Sequence, residues 1–478
     1  MQEDGFIAHR SPLEIDGPRL QALLGMVSEK LSPFLDTLPD QPTMSAPAAA
    51  TGHRPPEPCP EDGAPFESLL SELMGDIFPQ GFNTASPGCM AYVPGGGLIH
   101  TAIADLLSGV VNRYTGMWVA APGLVELESA VLRWMCGWVG YGPEAGGVLL
   151  SGGSMANLSA IIAARQQCSD WSQGVIYTAA LTHHSVAKAA HIAGFRRVQV
   201  RQVAQDDRFR MCPEALNAAI AADRAAGRSP MMVVASAGST TVGSVDPLRA
   251  LATVCQEEGM WFHVDGAYGG CFALTDRGRD VLDGIALADS ITLDPHKGLF
   301  LPYGTGCLLV RQRRHLHSAF SSDADYLPDA QDGGARWDFS SLGPELSRPA
   351  RGLRLWLPLK MHGVSAFRDA LDEKLDLTQD AATRIAALPG VRLVSEPALS
   401  LFTFRIEPPG ATDEDADALT RQVLERINEP RRVWLSGSPV EEKGTVRFCI
   451  RVCVLSFRTH AEQIDILVDT VADAIRQG

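Results

Sequence analysis

Between residues 96 and 370, short apolar runs alternate with Ala-rich stretches of helical period. GVLLS, VIYTA, MMVVASA, WFHVDG and SITLDP are the clearest runs. They carry little polar alternation, as expected of strands buried on both faces. Strands alternating with helices predict βαβ units around a mostly parallel sheet covered by helices. Ligands of such sheets gather beyond the carboxyl ends of the strands. The residues that follow each run are therefore the candidates for chemistry.

The rhythm changes at both ends of this region. After residue 371, VRLVSE, SLFTFRIEP and TVRFCIRVCVLS read as strands, and DEDADALTRQVLERI and AEQIDILVDTVADAI as helices. Segregated elements of this kind predict a smaller α+β domain over residues 371–478. Residues 1–95 begin with an amphipathic helix, RLQALLGMVSEKL. A Pro/Ala-rich connector follows over 41–60, then a second helix around 66–77. A chain of 478 residues is too long for one core, so two or three domains are expected.

Composition narrows the function classes. The formal net charge is −15, with 20% charged residues. Nucleic acids and anionic membranes both select basic surfaces, so neither is an expected partner. No run approaches the roughly 20 apolar residues of a membrane span. The N-terminal MQEDGFIAHR lacks a secretory pattern. Ten cysteines are scattered without a CxxC pair, as in a reducing cytoplasm, and no metal site is expected.

The strand ends carry four candidates. In VLLSGGSMANLSAIIAAR (148–165) a strand enters Ser151-Gly152-Gly153-Ser154 and then a helix. Small residues at a helix N-terminus suit a phosphate, although a tight turn with a serine cap explains the pattern equally. It is neither GxGxxG nor GxxxxGK[ST], which disfavours dinucleotides and nucleoside triphosphates. In WFHVDGAYGG (261–270), His263 and Asp265 share a strand face. Asp265 at the strand end could hold a protonated heterocyclic nitrogen, or simply cap the next helix. In SITLDPHKGLFLPYGTGCLLV (290–310), Lys297 lies in a mostly apolar stretch. Lysine is rarely buried without compensation. Lys297 reads either as a Schiff-base nucleophile or as a strand-end residue snorkelling to water. In LTHHSVAKAAHIAGF (181–195), His183 could stack on a flat ring or sit at a helix start on the surface. A phosphate cradle, a heterocycle-pairing aspartate and a Schiff-base lysine together describe pyridoxal phosphate.

These segments, with SPGCMAYVP, APGLVELE, GSTTVGSVDPL and SRPARGLRLWLPLKMHG in the same order, resemble the group II pyridoxal-phosphate-dependent amino acid decarboxylases, the family of aromatic-L-amino-acid decarboxylase. The resemblance runs from about residue 86 to 370, and more loosely to the end. It implies the α/β architecture of fold-type I pyridoxal enzymes: a large cofactor-binding domain over 96–370 and the small C-terminal domain. It also implies a cytoplasmic homodimer whose active site lies at the interface, with residues 1–95 as an arm on the partner. Lys297 would hold the cofactor aldehyde as a Schiff base, and Asp265 would keep the pyridine nitrogen protonated. Ala267 and His183 would sandwich the ring, and Gly153 and Ser154 would bind the phosphate. His296 would flank the Schiff base, and Thr240 would sit near the cofactor. Tyr326, in SSDADYLPDAQDGGARW, would protonate the substrate carbon after carbon dioxide leaves. The implied activity is decarboxylation of an L-amino acid, aromatic ones first, to the amine. Another pyridoxal enzyme of the same fold, an aminotransferase or carbon–carbon lyase, would share Lys297 and Asp265 without needing Tyr326.

Three places depart from the family pattern. Gly298 follows the lysine where most relatives carry a bulky residue. Ser340 lies near the place where relatives acting on aromatic substrates have an arginine. Gly95 to Gly97 replace larger residues of the pocket wall, which implies a wider pocket.

Overall fold

The computed structural model describes residues 11, 13–45, 58–321 and 337–477. They divide into two compact units, Met1–Ser86 and Pro87–Gly478. In the first unit, the helix Gly17–Thr37 starts at Asp16, whose carboxylate accepts the Arg19 N–H. The predicted second helix forms over Phe66–Glu72 and continues as a wider turn over Leu73–Ile77.

The second unit contains two sheets. The large one is built from β1 (Gly146–Leu150), β2 (Gly174–Ala179), β3 (Val200–Val203), β4 (Ser229–Ser236), β5 (Trp261–Gly266), β6 (Ser290–Leu293) and β7 (Gly306–Val310). Their order is β1-β7-β6-β5-β4-β2-β3. β7 alone runs opposite to the other six strands. A parallel return needs a crossover long enough to span the sheet, usually a helix. Between β6 and β7 there is only the one-turn helix Pro295–Gly298 and a short loop, so the chain doubles back. That reversal places Lys297 in the turn itself.

The five runs singled out in the sequence are β1, β2, β4, β5 and β6, and all but the first residues of β4 are buried. Between β4 and β6 the register decides what meets at the carboxyl ends. Asp265 is flanked by Ser236 on β4 and Thr292 on β6. Two residues earlier, His263 is flanked by Val234 and Ser290. A period of two puts both rows on one face.

The small sheet consists of β8 (Val391–Ser395), β9 (Leu401–Ile406), β10 (Ser436–Glu442) and β11 (Thr445–Cys453), in the order β10-β11-β9-β8 and antiparallel throughout. Phe402, Phe404, Ile450 and Val452 form its core with Val423 and Ile427 from Asp413–Asn428 and Leu467 and Val471 from Ala461–Arg476. One long element, Arg351–Ala386, runs across the change of rhythm at residue 370 and is broken at Gly363, where φ is +72°. Two strands had no clear signal. β3 (VRQV) and β10 (SGSPVEE) are edge strands, and edges do not need continuous apolar sequence.

Candidate active site

A cavity of about 320 Å³ opens at the carboxyl ends of the parallel strands. Its lining includes Gly153, Ser154, His183, Thr240, Asp265, Ala267, His296 and Lys297. The structure thus brings together every sequence-derived site residue except Tyr326, which lies outside the described residues. Ser340 is not part of the lining; its N–H donates to the Gly116 carbonyl at 3.0 Å.

The Ser151–Ser154 turn leads from β1 into the helix Gly153–Gln166. The first N–H groups of a helix have no intrahelical acceptor, so those of Gly153 and Ser154 are free for an anion. Gly153 has a steric reason to be glycine. A Cβ there would lie 2.9 Å from Asp294 Oδ2 and 3.1 Å from the Ala267 methyl.

Asp265 is buried at the end of β5. Its Oδ1 accepts the Ala267 N–H at 3.1 Å, and its Oδ2 accepts an N–H from the Asn157 amide at 2.9 Å. His183 is the N-cap of the helix His184–Ile192. Its Nδ1 accepts the Ser185 N–H and lies 2.8 Å from Ser185 Oγ. A proton on neutral His183 therefore sits on Nε2. Burial lowers the His183 pKa, and the Asp265 carboxylate partly opposes that.

Lys297 is only partly buried, and it is paired: Nζ lies 3.0 Å from Asp294 Oδ2. This answers the question raised by its apolar surroundings. Without a covalent partner its charge is compensated by a carboxylate three residues earlier in the same turn. Asp294 itself is buried, and its Oδ1 has no hydrogen-bond partner. His296 donates Nδ1–H to the Thr305 carbonyl at 2.7 Å. That leaves Nε2 facing Asp294 Oδ2 at 3.7 Å. Burial lowers the His296 pKa against the pull of Asp294.

Thr240 reaches the cavity on the loop between β4 and the helix Leu248–Glu258. Arg451 of β11 donates to the carbonyls of Thr240, Thr241 and Tyr92. A buried guanidinium thereby ties the Thr240 loop and the Tyr92 segment to the small sheet. Arg451, Asp294 and Asn157 were not singled out in the sequence. Asp294 had a signal, an acid one helical turn before the lysine. Asn157 had a weaker one, a polar residue inside an apolar helix. Arg451 had none, because its partners are carbonyls distant in sequence.

The widening expected at Gly95 to Gly97 has no room at the first two positions, whereas a Cβ on Gly97 would meet nothing within 4 Å. A Cβ on Gly95 would lie 2.0 Å from the His296 carbonyl oxygen. One on Gly96 would lie 2.8 Å from Cδ1 of Phe457. At positions 95 and 96 the space is filled by the lysine turn and by Phe457. Gly298 follows the same logic: its Cβ would lie 2.5 Å from the Cβ of buried Cys271.

These residues fit a phosphorylated pyridine aldehyde: free helix N–H groups for the phosphate, a carboxylate for the ring nitrogen, and an amine for the aldehyde. The comparisons agree. The pyridoxal-dependent decarboxylase conserved domain matches residues 51–407. An aromatic-L-amino-acid decarboxylase of Bacillus atrophaeus is 34% identical over 397 residues, covering 82% of this chain and 83% of the relative. A tryptophan decarboxylase of Camptotheca acuminata is 30% identical over 442 residues, covering 88% of each. The crystal structure of Oryza sativa TDC with PLP and tryptamine superposes with a TM-score of 0.91 at 26% identity, covering 98% of this chain and 99% of the other. The chain belongs to the pyridoxal-dependent decarboxylase family and is a carboxy-lyase that uses pyridoxal 5'-phosphate.

Proposed function

We propose that this decarboxylase converts L-amino acids with aromatic side chains to their amines and carbon dioxide. The convergence of Lys297, Asp265, His183, Ala267 and the Gly153–Ser154 turn on one cavity carries the reading of the site. The aromatic preference is supported by the names of the Bacillus and Camptotheca relatives.

Pyridoxal phosphate supplies an aldehyde for covalent attachment and a ring that accepts electrons. The protein's residues do the rest. Gly153 and Ser154 bind the phosphate through backbone N–H groups and the serine hydroxyl. Lys297 Nζ would hold the cofactor through its aldehyde. Asp265 would hold a proton on the ring nitrogen and so keep the ring electron-poor. His183 covers one ring face and Ala267 the other. Tyr326 delivers a proton to the substrate's α-carbon. Its role rests on the family resemblance.

We further infer a homodimer. The helix Ile99–Val111 exposes Ile103, Leu106, Leu107, Val110 and Val111 along one side, an apolar stripe that suits a second copy. All ten cysteines are free, which supports a reducing, cytoplasmic location.

The deciding experiment is borohydride reduction of the holoenzyme followed by peptide mass mapping. A pyridoxyl group on Lys297, absent from Lys297→Ala, is the expected result. A screen of the twenty amino acids should give amine and carbon dioxide from Trp, Tyr or Phe. Turnover confined to acidic or small substrates would refute the aromatic assignment. A monomeric mass in light scattering would refute the dimer.

A further inference from the structure

Asn157 sits in the second turn of the helix Gly153–Gln166, buried among polar groups from three other segments of chain. Its amide nitrogen donates to Asp265 Oδ2 at 2.9 Å and to Ser185 Oγ at 3.1 Å. Its amide oxygen accepts from Thr292 Oγ1 at 2.7 Å and from His263 Nε2 at 3.1 Å. Both N–H groups and both lone pairs are used, the full capacity of an asparagine side chain. The reverse orientation would set the amide oxygen against the Asp265 carboxylate.

The direction of each bond follows. An amide oxygen can only accept, so His263 carries its proton on Nε2. Its Nδ1, 2.7 Å from Ser290 Oγ, then accepts the serine proton. Ser290 in turn accepts the Trp261 indole N–H at 2.8 Å. The chain runs from Trp261 through Ser290, His263 and Asn157 to Asp265, every link a neutral donor pointing toward the carboxylate. Burial holds His263 neutral, its pKa pushed down to about 4. A second branch leaves the same amide. Asn157 donates to Ser185 Oγ, whose proton is then directed to His183 Nδ1.

We propose that Asn157 is the positioning residue of the cofactor site. Through one amide group it sets the Asp265 carboxylate that faces the ring nitrogen and the His183 imidazole that covers the ring. The inference rests on the roles given to Asp265 and His183 above. No other side chain among the described residues bonds to both arms. The register of β5 and β6 supplies the lower half of the network, because Ser290 and Thr292 lie directly beside His263 and Asp265.

The test uses the full-length apoenzyme and pyridoxal 5'-phosphate as the probe. Asn157→Leu fills the same space without hydrogen bonds and leaves Asp265 Oδ2 unpartnered. The expected result is a cofactor dissociation constant raised about tenfold or more. The induced visible circular dichroism of the bound cofactor, which reports ring placement, should also collapse. A merely structural role would lower the apoenzyme melting temperature and leave that dichroism per bound cofactor unchanged. Where Asn157→Leu does not fold, Thr292→Val and Ser185→Ala each remove one hydroxyl. Thr292→Val is expected to weaken cofactor binding about threefold, and Ser185→Ala to reduce the dichroism through His183. Wild-type values in all of these, beside an Asp265→Asn variant that loses cofactor affinity, would overturn the role of Asn157 alone. Wild-type values in Asp265→Asn as well would overturn the reading of the site.

Discussion

Lys297 Nζ lies 3.0 Å from Asp294 Oδ2, and the other oxygen of that carboxylate is buried without a partner. Nζ must leave this carboxylate before it can reach an aldehyde. Asp294→Asn removes the anion while keeping the shape. Because the pair is partly solvated, the effect is moderate. Covalent capture of pyridoxal phosphate by the apoenzyme near neutral pH should accelerate about three- to tenfold. Stopped-flow absorbance would show it, and a slower or unchanged rate would count against the pairing as a brake.

Packing behind the lysine turn gives a second expectation. Any side chain at position 298 meets Cys271, whose Cβ would lie 2.5 Å away. Gly298→Ala should therefore destabilise the fold by about 1–3 kcal/mol, the usual penalty of overpacking a core. Cys271→Gly in the same chain vacates the contested volume. Denaturant melts should show the double variant recovering most of the loss. Additive destabilisation would mean that the strain lies elsewhere.

The site was legible wherever function and strand ending coincide. Asp265, Lys297 and the Gly153–Ser154 turn each end an apolar run, and the run itself points to them. The residues that hold these groups in place were harder to see. Asn157 looks like one polar residue in an Ala-rich helix, and its meaning comes from a strand register the linear sequence does not display. Gly95 misled for a related reason. A missing side chain reads as open space, whereas here the His296 carbonyl occupies it. The fold class followed from periodicity. The edge strands β3 and β10 did not, because solvent on one side relaxes the demand for apolar residues.

Tyr326 separates chemistry from cofactor binding. If it supplies the proton to the α-carbon, Tyr326→Phe should lower amine formation about a hundredfold or more, within the range for a lost general acid. Cofactor affinity should stay at the wild-type value. Product amine assayed beside a pyridoxal phosphate titration resolves the two. Parallel losses in both would remove the tyrosine from the proton-transfer step.

Asp246 connects site geometry to pH. Buried next to the Thr240 loop, it accepts the Met211 N–H through Oδ1 and the Ser236 N–H through Oδ2, both at 2.7 Å. Burial pushes its pKa up to about 6, against an ordinary 3.8, and the two N–H bonds only partly offset this. A raised carboxyl pKa means the folded state binds the proton more tightly than the unfolded chain. The associated stability is complete below about pH 4 and is lost as pH rises through about 6. The loss is on the order of 3 kcal/mol. Asp246→Asn cannot titrate, but it presents an amide N–H to one of the two backbone donors. It should therefore be the less stable protein under acid conditions. The gap should narrow by about 3 kcal/mol between about pH 4 and pH 7. Urea melts of both proteins across that range measure the gap directly, and a constant difference would show that Asp246 is ionised in the fold at all of those pH values.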